Sequence, residues 1–264
     1  MTTPSLPVTV VIPCFNSSRT IHRTLYSVIQ QTNIPSEIIV VDDFSRDETL
    51  RIIRQFVFPP SIRVVVIECS QNCGPGNARN LAWDGSTQPW LAFLDSDDVW
   101  HPQKLEIQYG WLTNNPAVEL CGHLSSQLGP PLSINSLNEI ASEKVSLNRL
   151  LLSNMLPTRS VMVKTNLPYR FGGIDVCEDY LLWLELCSLG VEVWRINACL
   201  SYSIRRDFSA GGYSGNLWVH EVRELRTLRT LSQRRLIGFP VLQLACCWSV
   251  MKFLRRVIIR LLLR

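Results

Sequence analysis

The chain has 264 residues, 46% of them hydrophobic and 18% charged, a balance that excludes a disordered or collagen-like polymer and suffices for a sizeable core. The formal net charge of +4 divides unevenly: residues 1–204 carry 14 Lys+Arg against 19 Asp+Glu, a net of −5, and residues 205–264 carry 12 against 3, a net of +9. An acidic body with a basic tail predicts that the tail meets something anionic.

The nine Cys form no C-x-x-C pair and the four His are isolated. No zinc site is predicted, and the cysteines read as small core filler in a reducing compartment. Residues 1–7 lack Lys and Arg, and the apolar run after them stops at Pro13. That pattern predicts neither a secretory signal nor an anchor, and places the protein in the cytoplasm or on the cytoplasmic face of a membrane.

In chain order, residues 8–12 are a continuous β-branched run between Pro7 and Pro13 and predict a buried strand. Ser17 or Ser18 then caps a helix with Ile21, Leu25, Val28 and Ile29 at helical spacing. Strands follow at 38–41, 62–67 and 90–94, separated by a helix from Ser45 or Asp47 to Phe56 and another over 77–83. Apolar strands alternating with helices predict an α/β fold whose mainly parallel central sheet has helices on both faces. Beyond Trp100 the reading is a helix from His101-Pro102 to Leu112, strands over 117–123, 159–164 and 192–204, and a helix over 178–187. Residues 125–145 read as a polar surface loop, and residues 216–264 as a separate, mainly helical segment.

In such a sheet, ligands bind at the carboxyl ends of the strands. Those ends deliver Pro13, Phe15 and Asn16, then Asp42 and Asp43, then Asn72 and Gly74, then Asp95, Ser96, Asp97 and Asp98. Acids at strand ends also cap following helices, but Pro102 already marks the next helix start after Asp98. Two carboxylates one residue apart, as in Asp95-Ser96-Asp97, can face one hard cation that keeps open positions for phosphate oxygens. Asn72-x-Gly-Pro-Gly follows the third strand and lacks the third glycine of a dinucleotide fingerprint, so no such site is predicted.

Five segments in order resemble the family 2 glycosyltransferases: Val8 to Asn16, Glu37 to Thr49, Asn72 to Asn80, Phe93 to Asp98, and Glu178-Asp179 with the apolar run after it. The resemblance implies a GT-A fold over residues 1–215, with 216–264 as a basic helical tail, a nucleotide-diphospho-sugar donor and an inverting transfer. It implies that Asp42 and Asp43 hold the donor nucleoside, beside Pro13 and Phe15. Arg79 and Asn80 would orient the donor. Asp95 and Asp97 would bind Mn²⁺ or Mg²⁺ on the diphosphate, and Asp179 would be the general base with Glu178 beside it. Phe15 stands where the family usually has Tyr, and Phe44 where it usually has Gly. The Q-x-x-R-W element of processive synthases is missing, which favours transfer of one sugar.

The Gly-rich stretch 205–216 is either a loop over the donor or acceptor or a linker to the tail. In the tail, residues 236–251 are uncharged but interrupted by Pro240, too short to span a bilayer. Lys252, Arg255, Arg256 and Arg260 then interleave with apolar residues. That pattern predicts an amphipathic helix at an anionic membrane surface, or alternatively one docked on the catalytic domain. No nucleic-acid partner is predicted. The reading is thus a metal-dependent glycosyltransferase with a glycan or lipid-linked acceptor. The rivals are a sugar-1-phosphate nucleotidyltransferase, which would need a G-x-G-T-R sequence absent after the first strand, and a non-catalytic membrane scaffold, against which the intact carboxylates argue.

Overall fold

The computed structural model describes residues 4–127, 140–203 and 216–262. The first half alternates strand and helix: β1 (Ser5–Cys14), α1 (Ile21–Ile29), β2 (Ile34–Asp42), α2 (Thr49–Gln55), β3 (Arg63–Glu68), α3 (Pro75–Asp84) and β4 (Trp90–Phe93). The second half is β5 (Asp98–Trp100), α4 (Lys104–Asn114), β6 (Leu120–Gln127), β7 (Ser142–Lys144), α5 (Leu147–Leu152), β8 (Met162–Lys164), α6 (Glu178–Ser188), β9 (Val193–Ser203), α7 (Leu217–Gln233) and α8 (Phe239–Leu262). Among the described residues the nine strands join one sheet of order β3-β2-β1-β4-β8-β6-β9-β5, with β7 paired to β9 off this path.

The pairs among β3, β2, β1 and β4 are parallel. Beyond β4 the sheet is mixed: β8 runs antiparallel to β4 and β6, β6 is parallel to β9, and β5 and β7 are antiparallel to β9. Side chains of a strand alternate between faces, and the buried strands divide accordingly. Val10, Ile12, Ile38 and Val40 pack with α1 and α4 residues such as Leu25 and Leu105. Val11, Ile39 and Val41 pack with Ala82, Trp83, Leu182 and Leu186 of α3 and α6. The second core centres on aromatic rings in edge-to-face geometry, Phe93 on Phe171 at 5.0 Å and Phe171 on Trp183 at 5.7 Å.

Several boundaries differ from the sequence reading. Residues 125–127 continue β6, and residues 142–144 form β7. Residues 158–160 form a 3-10 turn ahead of β8. The stretch 216–262 is less separate than its composition suggests: Leu228, Leu231, Ile237 and Ala245 belong to the core built on α3 and α6. Asn216 caps α7 by accepting from Trp218 N and Val219 N.

Candidate active site

The carboxyl ends of β1, β2 and β4 and the first turns of α3 and α6 converge on one rim. Asp42 and Asp43 both sit buried at the end of β2. Asp42 Oδ2 accepts from Ser45 N at 3.1 Å. Asp43 Oδ1 accepts from Cys73 N at 2.7 Å, and its Oδ2 from Gly74 N at 2.9 Å, so it ties the loop before α3 to the sheet. Phe44 follows with φ +68°, a left-handed conformation that costs a non-glycine residue about 1–2 kcal/mol. The Arg46 guanidinium lies 3.9 Å from its ring centroid. Pro13 is buried within β1, opposite Val41, whereas Phe15 just beyond is 48% exposed.

Gly74 has φ +84°, and a Cβ there would meet Ile174 Cγ2 at 2.4 Å. Both facts demand glycine. Gly76, in the first turn of α3, is as constrained, because a Cβ would lie 2.5 Å from the Gly172 carbonyl oxygen and 3.1 Å from Glu178 Cγ. This contact brings α3 against the start of α6 and places Arg79 between two acids. Arg79 Nη2 donates to Asp95 Oδ1 at 2.5 Å, and Nη1 donates to Glu178 Oε1 at 3.4 Å. Burial disfavours its charge, but Asp95 and Glu178 outweigh that and hold the guanidinium charged. Asn80 is engaged elsewhere: its side chain donates to Phe171 O at 3.0 Å and accepts from Phe171 N at 2.9 Å, which pins the segment leading to α6.

The Asp95-Ser96-Asp97-Asp98 turn closes through Asp98 N donating to Asp95 O at 3.0 Å. Thr24 Oγ1 donates to the carbonyls of Ser96 and Asp98, both at 2.9 Å, and Ser17 and Ser96 share a 2.7 Å hydroxyl contact. Asp95 and Asp97 remain partly exposed and Asp98 is buried. Among the described residues, Asp98 Oδ1 has no hydrogen-bond partner. Burial pushes the Asp98 carboxyl up to about 7, Arg159 pulls it back, and the neighbouring Asp95 and Asp97 push it further. A turn with surplus negative charge, two partly exposed carboxylates and, at Asp98, a carboxylate oxygen with no hydrogen bond among the described residues fits a divalent cation.

At the start of α6, Glu178 is buried and Asp179 half-buried. Burial pushes the Glu178 carboxyl up to about 7; Arg79 opposes this and Asp179 adds to it. Asp179 Oδ2 accepts from Thr158 Oγ1 at 2.7 Å and Oδ1 accepts from Tyr180 N at 2.6 Å. The next residue, Arg159, donates to Ser125 Oγ at 2.7 Å and reaches Asp98 Oδ2 at 3.4 Å. One 3-10 turn therefore holds both Asp179 and the Asp95–Asp98 turn. Sequence reasoning missed Thr158 and Arg159, because nothing in a Pro-Thr-Arg-Ser stretch marks them except tertiary contact. The 205–215 part of the Gly-rich stretch lies outside the described residues.

The sheet order, the acidic turn after β4 and the paired acids opening α6 form one connected site. Residues 9–174 match the family model "Glycosyl transferase family 2". The chain belongs to glycosyltransferase family 2. It is 30% identical over 183 residues to the UDP-Glc:alpha-D-GlcNAc-diphosphoundecaprenol beta-1,3-glucosyltransferase WfgD of Escherichia coli, covering 68% of this chain and 69% of that one. Its fold matches the crystal structure of Staphylococcus aureus TarS 1–349 in complex with UDP-GlcNAc, with a TM-score of 0.73 and 20% identity over 93% of this chain and 72% of that one. It also matches the mannosyltransferase PcManGT from Pyrobaculum calidifontis in complex with GDP-Man and Mn²⁺, with a TM-score of 0.65 and 16% identity over 93% and 73% of the two chains. The fold is therefore GT-A, and this family 2 glycosyltransferase belongs to an inverting family.

Proposed function

We propose that this enzyme moves one sugar from a nucleoside-diphospho-sugar to the hydroxyl of a glycan or lipid-linked acceptor, with Mn²⁺ or Mg²⁺ at Asp95 and Asp97. The observation that carries the reading is the Arg79 clamp, which joins Asp95 of the acidic turn to Glu178 beside Asp179. Donor-side and acceptor-side carboxylates thereby meet at one guanidinium. A bound cation would neutralise charge on the departing diphosphate. Arg79, already charged, stands beside that position and adds a fixed positive charge without reorganisation. Asp179 accepts the acceptor hydroxyl's proton as its oxygen attacks the anomeric carbon on the face opposite the leaving group, which inverts that centre. Thr158 holds Asp179 in one orientation. Phe15 offers an exposed ring beside Asp42 and Asp43 for the nucleoside.

The acceptor class is inferred from the diphosphoundecaprenol-linked substrate in the name of WfgD and from α8. No described helix is long and apolar enough to cross a membrane. Yet Leu244, Met251, Leu254 and Ile258 of α8 are each more than half exposed, with Arg255 and Arg260 exposed near its end. We take this face to lie on an anionic membrane surface at the cytoplasmic side, where a lipid-linked acceptor is presented.

The reading predicts that Asp179→Asn lowers sugar transfer at least ~100-fold, while binding of a nucleoside diphosphate, measured by calorimetry, is retained. Near-normal turnover by that variant would remove Asp179 from the base role.

A further inference from the structure

The loop between β3 and α3 carries Cys69 and Cys73, a C-x-x-x-C pair that a search for C-x-x-C overlooks. Their sulfurs are 4.0 Å apart. Cys73 Sγ lies 3.0 Å from Asp43 Oδ1, and ligand atoms of all three residues fall within 4.8 Å of one another. A tetrahedral Zn²⁺ with Zn–S near 2.3 Å and Zn–O near 2.0 Å needs a sulfur–sulfur edge of ~3.8 Å and a sulfur–oxygen edge of ~3.5 Å. The Cys69–Cys73 and Cys73–Asp43 separations lie within about half an ångström of those edges, and the Cys69–Asp43 edge is at most 4.8 Å.

The loop that carries the two cysteines is also held in place without a metal. Cys69 N donates to Asp42 O at 2.9 Å. Asn72 Nδ2 donates to Asp43 O at 3.1 Å. Cys73 N donates to Asp43 Oδ1 at 2.7 Å. Both ends of the loop are thus fastened to the end of β2. Both cysteines are free and partly exposed, which provides an entry path.

We propose that Cys69, Cys73 and Asp43 form a binding site for a soft divalent cation such as Zn²⁺, separate from the hard-oxygen pair Asp95 and Asp97. Two thiolates and one carboxylate select zinc-like ions over Mg²⁺ and Mn²⁺. On binding, each thiol releases its proton to solvent as a sulfur lone pair joins the metal, and the proton now shared between Cys73 Sγ and Asp43 is replaced by the ion. The fourth position stays open to water. Because Asp43 sits in the expected nucleoside pocket, occupancy opposes donor binding. That consequence rests on the proposed function, whereas the site itself does not.

The test uses the full chain, reduced and freed of metal by chelation. Titration with Co²⁺ is expected to give thiolate charge-transfer absorption and intense tetrahedral d–d bands, displaced by Zn²⁺ and not by excess Mg²⁺. Cys69→Ser and Cys73→Ser should each weaken Zn²⁺ binding about tenfold or more, since even outer partners of a metal site are worth that much. Cys247→Ser, at an exposed position, should bind as the parent does. An absent charge-transfer band, or one that persists when Cys69 and Cys73 are both Ser, overturns the site. Binding of uridine diphosphate is then compared with and without Zn²⁺. Weakening in the parent and not in the double variant is expected. Equal binding in both overturns the antagonism, and no nucleotide binding in any form overturns the donor reading while the cobalt spectrum stands.

Discussion

Thr158 spends its one hydroxyl proton on Asp179 Oδ2, a bond that fixes the carboxylate's rotamer. It acts through Asp179 and is a positioning residue. Thr158→Val should lower kcat about tenfold with little change in donor KM. Thr158→Ser should restore kcat, and a Val variant that raises donor KM as much as it lowers kcat would make the threonine merely structural. Glu178 makes a different prediction. Its carboxyl, ordinarily near 4.5, stands at about 7 because of burial, with Arg79 opposing and Asp179 reinforcing. The folded chain keeps a proton there that the unfolded chain releases. The group's contribution to stability is therefore complete below pH 4.5 and is lost as pH rises through about 7. Glu178→Gln cannot titrate, so its unfolding midpoint should fall less steeply over that window. A slope equal to the parent's would refute the assignment.

At the scale of elements, the approach of α3 to α6 rests on the absence of a side chain at Gly76. Gly76→Ala would push a methyl group onto a backbone oxygen and onto Glu178, at a cost of about 1–3 kcal/mol, read from denaturant midpoints. An unperturbed midpoint would show that the two helices do not depend on this contact. The strands β1 to β4 were legible because each carries a short continuous apolar run, β-branched in β1 to β3 and Trp-Leu-Ala-Phe in β4, as strands of a covered parallel sheet do. The short strands β5 and β7 and helix α5 were not, since three to six residues carry no measurable period. The carboxylates of the site were visible as motif residues, yet their bonding was not. Asp43 spends both oxygens on backbone N–H groups, the capping duty that also explains acids at strand ends, and Asn80 spends its amide on Phe171. Arg79 stood in the motif without its partners, which come from β4 and α6 and meet only in the fold.

For the molecule as a whole, the basic tail turns part of its charge inward. Lys252 Nζ is 2.7 Å from Glu224 and Arg256 Nη2 is 3.2 Å from Glu221, both acids being buried on α7. Ser249 donates to Glu221 at 2.9 Å, and Trp218 stacks edge-on to Phe253 at 5.7 Å. Lys252→Ala would remove the shortest cation contact of buried Glu224, leaving Arg256 at 3.6 Å, and is expected to cost about 1–3 kcal/mol in stability. The paired substitution Met251→Asp, Leu254→Asp should leave the melting temperature unchanged and abolish flotation with anionic vesicles. Retained flotation would reject the membrane face. The sheet order carries one more consequence. From Phe93 in β4 to Asp98 in β5 the chain takes five steps, which reach at most ~18 Å. In a flat sheet these strands would stand four positions apart, about 19 Å even without stagger. The sheet must therefore curl until its far edge comes back toward its middle, and Asp95-Ser96-Asp97 is the tether that spans the gap. The segment expected to grip the cation is short for mechanical reasons too, because it also joins β4 to the strand at the far edge of the sheet.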